Sequence, residues 1–384
     1  MDANLNFKNF QIKIRKSNKK KLLYYLRKID ISDSPEFIKS FKKEYKYTFN
    51  KDLIRKYKKY KNINIIGMGG SSLGSKAIYN FLINKIKKKF TFQENLNLRE
   101  KALTRSLNII ISKSGNTLET LVNLNSKIKN NKNLFITEKT NNYLINLANK
   151  LKSDVIEHKN FIGGRFSVLS EVGMLPAQLM GLNEKKFKQF NYLITKKKFL
   201  DNLINNVLST FELIKKKKFN SVILNYDNKS DDLFKWYQQL VSESLGKNSK
   251  GVFPIISTMP KDNHSILQLY LSGFNSNFYT FFITKENSNQ KMNSKYLPDE
   301  LKFLSKKNVF EILNSQRIAT ENIFRIKKIP FRSFLIKKRN EETLGELFCF
   351  FTLEVILLSK LMKINPLNQP QVELVKKETF KILK

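Results

Sequence analysis

Two segments combine small, hydroxyl-bearing and basic residues in a way that suits a phosphate ester. Gly67-Met68-Gly69-Gly70-Ser71-Ser72-Leu73-Gly74 follows the apolar run Ile63-Asn64-Ile65-Ile66 and precedes an amphipathic stretch, Ser75 to Ile83, with helical spacing. A glycine turn between a strand and a helix offers backbone N–H groups and the positive end of the helix dipole to an anion. Ser112-Lys113-Ser114-Gly115-Asn116-Thr117-Leu118-Glu119-Thr120 repeats that order after Ile109-Ile110-Ile111, and adds a lysine and several hydroxyls. The first segment matches neither of the two commonest nucleotide loops. The third glycine of a dinucleotide fingerprint is replaced by Ser72, and a P-loop ending at Gly74 would continue with lysine and then Ser or Thr, where the chain has Ser75 and Lys76. Taken singly, each segment also reads as a tight turn or a serine-capped helix with Lys113 in solvent. As a pair they favour a phosphorylated small molecule.

Four further segments carry residues able to move protons or hold charge. They are Gly163-Gly164-Arg165-Phe166-Ser167, the run Gln239-Leu240-Val241-Ser242-Glu243-Ser244-Leu245-Gly246-Lys247, Asp262-Asn263-His264-Ser265, and Asn365-Pro366-Leu367-Asn368-Gln369-Pro370-Gln371-Val372-Glu373-Leu374-Val375-Lys376. Gln239 and Glu243 are four apart and share a helix face that Gly246 would end. With the two loops, these segments resemble, in order, the motifs of the glucose-6-phosphate isomerase family, built on sugar isomerase (SIS) domains. The likeness runs from about residue 60 to residue 377.

The resemblance implies an aldose–ketose isomerase that interconverts glucose 6-phosphate and fructose 6-phosphate in glycolysis and gluconeogenesis, through ring opening and a cis-enediolate, with no cofactor and no metal. It places the phosphate on Ser71, Ser112, Lys113, Ser114 and Thr117, with further substrate contacts from Gly70, Gly164 and Gln239. Glu243 would carry the proton between C1 and C2, and Arg165 would stabilise the enediolate charge. His264 and Lys376 would open the ring, with His264 supplied by the neighbouring subunit of a homodimer. Three positions depart from the family pattern. Asn263 stands where Gln is usual, and Asn368 and Gln371 stand where Asp and Gly are usual, which leaves the backbone near Lys376 open. Lys377 is an adjacent competitor, although the register favours Lys376. An isomerase that also accepts mannose 6-phosphate and a non-catalytic SIS-type sensor remain alternatives, and the sensor would need neither Glu243 nor His264. Each residue also has a plain role, as a solvated charge or a packing group. His158, the other histidine, lies in no motif and takes that plain role.

The elements that would position these residues follow an α/β rhythm. Strand-like runs at Asn64 to Gly67, Leu107 to Ser112 and Leu134 to Thr137 alternate with stretches of helix length, which predicts a parallel sheet with helices on both faces. Ligands gather at the carboxyl ends of such strands, where both loops begin. A second unit begins near residue 200, with strands at Asn220 to Tyr226 and Tyr279 to Thr284 and a helix at Asp231 to Leu245. The fold expected is two SIS-type α/β/α sandwich units, residues 1–195 and 196–384, linked through Lys185 to Lys198. Residues 1 to about 60 read as helices with basic faces, including a start at Ser34-Pro35-Glu36, and Gln371 to Lys384 reads as a basic helix in a C-terminal arm. Asn287 to Ser294 reads as a polar loop.

Composition bounds the rest. At 384 residues the chain can bury a large core. Met1 to Phe10 lacks a signal-peptide core, and the most apolar region, Leu344 to Met362, contains Glu346, Glu354 and Lys360, so it reads as a buried helix rather than a membrane span. The one cysteine excludes an internal disulfide, and one Cys with two His offers little for zinc. The cytoplasm is the expected compartment. The formal net charge of +39 would suit a polyanion, but the lysine runs are scattered rather than gathered in one tail or helix, and no recognition element accompanies them. The excess therefore reads as solvated surface, with no membrane and no specific nucleic acid as partner.

Overall fold

A computed structural model describes residues 4–14, 16–31, 35–96, 105–128, 131–286 and 291–384. Ser34 and residues 287–290 of the polar loop lie outside the described residues. The strands, in chain order, are β1 (Leu5–Lys8), β2 (Asn62–Ile66), β3 (Lys89–Gln93), β4 (Leu107–Ile111), β5 (Lys132–Thr137), β6 (Asp154–Glu157), β7 (Asn220–Asn225), β8 (Phe253–Thr258), β9 (Asn277–Thr284) and β10 (Phe331–Ile336). They form two five-stranded sheets, ordered β3-β2-β4-β5-β6 and β1-β10-β9-β7-β8. Every pairing is parallel except that of β1 with β10. The α/β fold with parallel sheets expected from the alternating pattern is the fold observed.

The central strands are covered on both faces, so they read as continuous apolar runs rather than alternating ones. All five residues of β4 are buried. Register in the first sheet is fixed by a polar ladder inside this apolar layer. Asn64, Asn108 and Asn133 face one another across β2, β4 and β5. Asn64 Nδ2 donates to Asn108 Oδ1 at 2.8 Å, and Asn108 Nδ2 donates to Asn133 Oδ1 at 2.9 Å. Thr91 closes the far end by donating to Asn64 Oδ1 at 2.6 Å. A slip of one residue would leave these buried amides without partners.

Both sheets reverse their winding at one point, between β2 and β4 in the first and between β7 and β9 in the second. The segments that follow β2 and β4 are the two glycine-serine loops. The helix Leu73–Phe81, which continues from the first loop, packs against the helix Asp231–Leu245 of the second half. Asn80 donates to Asp232 Oδ2, and the Lys76 ammonium stands 3.5 Å from Asp232 Oδ1. The two halves therefore meet beside the first winding reversal.

The helix Glu341–Met362 is buried almost throughout, and no described helix is long and apolar enough to cross a membrane. Its internal acid Glu354 is paired with the Arg332 guanidinium and accepts from Asn206 Nδ2 at 2.6 Å. The stretch Lys185 to Lys198 is packed rather than a bare tether. Phe187, Phe190 and Leu193 are buried, and a Cβ at Gly345 would sit 2.3 Å from the Phe187 carbonyl oxygen.

The first 60 residues correct the helical reading. Lys16–Ile31 and Lys51–Lys58 are helices, but Leu5–Lys8 is a strand that pairs antiparallel with β10 in the second sheet. Its partner explains it: the Phe7 ring lies tilted against that of Phe334, centroids 4.6 Å apart, a contact no local pattern encodes. Glu36–Phe41 is a short 3-10 turn.

Candidate active site

The helix Asp231–Leu245 buries Leu233, Phe234, Trp236, Tyr237, Leu240, Val241, Ser244 and Leu245. That leaves Gln239 and Glu243, one turn apart, facing the first half of the chain. Glu243 is one quarter exposed, and both of its oxygens are held. Arg165 Nη1 donates to Oε2 at 3.0 Å, and Gln239 Nε2 donates to Oε1 at 2.9 Å. The Gln239 carbonyl oxygen is buried without a hydrogen-bond partner. The same side chain lies against the glycine loop, since a Cβ at Gly69 would sit 2.9 Å from Gln239 Nε2. Gly69 also has φ of +54°, a conformation glycine adopts without strain.

Arg165 is 1% exposed and uses all five of its N–H donors. Nε donates to Ser244 Oγ at 2.9 Å. Nη1 reaches Gln369 Oε1 as well as Glu243, and Nη2 reaches the carbonyl oxygens of Pro366 and Asn368. Burial lowers its pKa from the usual arginine value, opposed by Glu243, and it stays a cation at neutral pH. The turn that carries it is a 3-10 helix, Gly164–Leu169, seated against the first loop. Gly70 and Gly164 touch backbone to backbone, because a Cβ on Gly70 would lie 2.2 Å from the Gly164 carbonyl carbon. Ser167 Oγ adds a bond to the Gly70 carbonyl oxygen at 3.2 Å.

The second loop lies beside the first, at the end of the neighbouring strand. Gly115, with φ of +70°, makes a turn that no side chain could enter: a Cβ there would overlap Asn142. Ser112 Oγ and Thr117 Oγ1 are 2.8 Å apart, and Ser114 is exposed. Lys113 Nζ donates to the Asn160 carbonyl at 2.6 Å and stands 3.5 Å from Glu138. Ser71, half-buried, closes the turn of the first loop with a bond from its N–H to the Met68 carbonyl at 3.1 Å. Two further residues brace that loop. Ser72 Oγ and Lys76 Nζ both donate to Glu94, at 2.7 and 2.6 Å.

His264 and Lys376 are both exposed and lie on other elements. His264 is exposed on a 3-10 turn, Lys261–His264, after the edge strand β8. Asp262 shapes that turn by accepting from Ser257 Oγ at 2.7 Å and from the Thr258 N–H at 2.8 Å. Lys376 lies on the helix Pro370–Leu383, which has no buried residue, and its ammonium donates to Glu373 at 2.7 Å. His158 is buried, with Nδ1 3.1 Å from the Lys159 carbonyl, and burial pushes its pKa down to about 4.

The pattern of motifs did not single out the partners that lock Arg165. Ser244, the side chain of Gln369 and the carbonyls of Pro366 and Asn368 carry no chemical signature of their own, although each lies inside or beside a motif.

A family model described as phosphoglucose isomerase matches residues 36–259. The glucose-6-phosphate isomerase of Methanocaldococcus jannaschii is 32% identical over 366 residues, which cover 88% of this chain and 88% of that protein. Among solved structures, a hypothetical protein from Thermus thermophilus superposes with a TM-score of 0.83 at 22% identity, over 95% of this chain and 94% of that one. A glucose-6-phosphate isomerase from Chlamydia trachomatis gives 0.70 at 17% identity, over 96% of this chain and 73% of that one. At those identities the two structures establish a shared fold.

Proposed function

Because the chain belongs to the phosphoglucose isomerase family, we propose that the cluster of Glu243, Gln239 and Arg165 beside the glycine loop interconverts glucose 6-phosphate and fructose 6-phosphate. It is an aldose–ketose isomerase. The observation that carries the reading is the pairing of Glu243 with Arg165 at 3.0 Å beside the glycine loop. A carboxylate can take a proton from one carbon of the open-chain sugar and return it to the next, and a fixed cation stabilises the enediolate oxygen between the two steps. The carboxylate is oriented from both sides, so it is aimed before substrate arrives. Arg165 has no idle donor. It acts as a buried positive charge, or exchanges a bond to the loop Asn365–Gln369 for one to the substrate.

The first and second loops hold the phosphate in this reading, through Ser71, Ser112, Lys113, Ser114 and Thr117, with Gly70, Gly164 and Gln239 lining the sugar. His264 and Lys376 open the ring, and His264 reaches a partner's pocket in a homodimer. Its exposure on the single chain supports that arrangement, as does the uncovered apolar surface of Val372, Leu374, Val375, Phe380, Ile382 and Leu383 on the last helix. The division into units near residue 195, with β1 lent to the second sheet, and the cytoplasm as compartment belong to the same proposal. A coupled assay for fructose 6-phosphate formation tests it, with Glu243→Gln as the critical variant. Turnover by the wild type and a loss of about 10²-fold or more in the variant support the reading. Sugar-phosphate binding by a wild type that shows no turnover would replace it with a sensor.

A further inference from the structure

Lys247 follows Gln239 and Glu243 at the same four-residue spacing and stands just past the end of their helix. Its ammonium donates to two backbone carbonyls, Ser244 at 3.0 Å and Asn365 at 2.6 Å. The first belongs to the residue that binds Arg165 Nε. The second opens the loop Asn365–Gln369, whose Pro366, Asn368 and Gln369 oxygens hold the rest of the guanidinium. One cation thus joins the end of the helix bearing Glu243 to the loop that closes over Arg165.

A tight turn follows directly. Lys247 and Lys250 exchange both N–H to carbonyl bonds, each at 3.0 Å, across a turn whose central residues, Asn248 and Ser249, have φ of +54° and +55°. Positive φ is unfavourable for serine, and a segment keeps it where the surrounding structure demands it. The turn aims both lysines at one stretch of chain, since Lys250 Nζ donates to the Met362 carbonyl at 3.3 Å. The stretch from 362 to 369 then leads into the helix that carries Lys376.

We propose that Lys247 is a positioning residue for the isomerisation: by gripping the Ser244 and Asn365 carbonyls, it holds the loop Asn365–Gln369 in place against Arg165 and Glu243. The inference rests on the reading of Glu243 as the proton carrier, but its physical content does not need turnover. The charged groups facing the ammonium are Arg165 from the 3-10 turn and Glu243 from its own helix, while the loop contributes carbonyls. Burial, and then Arg165, bring the Lys247 pKa down to about 8, with Glu243 opposing. The charge-assisted bonds therefore weaken as pH rises through about 8.

The test compares Lys247→Met and Lys247→Arg with the wild type. Amide hydrogen exchange across residues 364–383, measured without substrate, should quicken in Lys247→Met and stay near wild type in Lys247→Arg. In the coupled assay Lys247→Met should lose about tenfold or more in kcat with a smaller change in KM, and Lys247→Arg should recover most of the loss. The wild-type kcat should fall above about pH 8 and that fall should be absent from Lys247→Arg, whose guanidinium does not titrate there. Unchanged exchange in Lys247→Met overturns the proposal whether or not the protein turns over. So does an unaltered kcat in Lys247→Met, or an alkaline limb that Lys247→Arg retains. A wild type that shows no turnover, with quickened exchange in Lys247→Met, would instead overturn the isomerase reading and leave the grip of Lys247 standing.

Discussion

The contact between Gly70 and Gly164 is unequal, and the inequality can be measured. A methyl group on Gly70 would lie 2.2 Å from the Gly164 carbonyl carbon and 2.4 Å from its oxygen. A methyl group on Gly164 would lie 3.6 Å from the Gly70 Cα, an ordinary contact. Carbon atoms rest about 3.5–4.0 Å apart, so Gly70→Ala must separate the two loops by more than ~1 Å. The Arg165 turn has little freedom to retreat, because its guanidinium is held by Ser244 and by the loop Asn365–Gln369. A misplacement of ~1 Å costs about 10²-fold in rate, or ~2.7 kcal/mol of barrier. Gly70→Ala should therefore lose about two orders of magnitude in kcat/KM in the coupled assay and lower the thermal unfolding midpoint, while Gly164→Ala, whose methyl group meets only an ordinary contact within the protein, keeps the wild-type midpoint. Thermal unfolding recorded on the same samples separates loss of activity from loss of fold. Equal losses of thermal stability in the two variants, or a Gly70→Ala enzyme near wild-type activity, would refute the packing of the Arg165 turn on the glycine loop.

Three other outcomes follow from the structure. Asn108→Leu should lower stability by about 2 kcal/mol, read as a lower urea midpoint at unchanged slope, because Asn133 Oδ1 loses its donor and Asn64 Nδ2 loses one acceptor inside the sheet. His158 is buried neutral with a pKa near 4, against an ordinary value of 6.5, so the unfolded chain binds its proton first as pH falls. Its contribution is complete above about pH 6.5 and is lost on acidification toward pH 4, amounting to ~3 kcal/mol. Replacing it by Gln should flatten that part of the stability-versus-pH curve. Mixing denatured Glu243→Gln and His264→Asn proteins and refolding them together should restore roughly one quarter of wild-type activity, since half of the dimers would be mixed and each would hold one intact pocket. No restoration would place His264 in its own subunit's pocket.

Much of this arrangement is legible in residue order. The strands β2, β4 and β5 are apolar runs ended by turn residues, and the helix Asp231–Leu245 has the limits its amphipathic spacing gives. What the pattern conceals has a common cause. β1 is a strand only because Phe7 finds Phe334, far along the chain. β3 is an edge strand behind a lysine run, and β10 carries a buried arginine whose charge hides it until Glu354 is seen beside it. At the site, side chains with distinctive chemistry were visible: Arg165, Glu243, Gln239 and the two loops. The groups that lock Arg165 are backbone carbonyls, a serine and a glutamine side chain, and their role exists only in three dimensions. His264 and Lys376 are exposed on the single chain, so their part in the proposed site can be read only with the proposed partner in place.

The most direct test of Glu243 as the proton carrier is the isomerisation of glucose 6-phosphate in D2O, followed by proton NMR at C1 and C2 of the sugar. Wild-type enzyme should form fructose 6-phosphate and, on continued incubation, build deuterium into the C2 position of the glucose 6-phosphate pool. Glu243→Gln should do neither at a comparable rate. Isomerisation by Glu243→Gln at the wild-type rate, or prolonged wild-type turnover with no deuterium entering the sugar, would contradict proton transfer through this carboxylate.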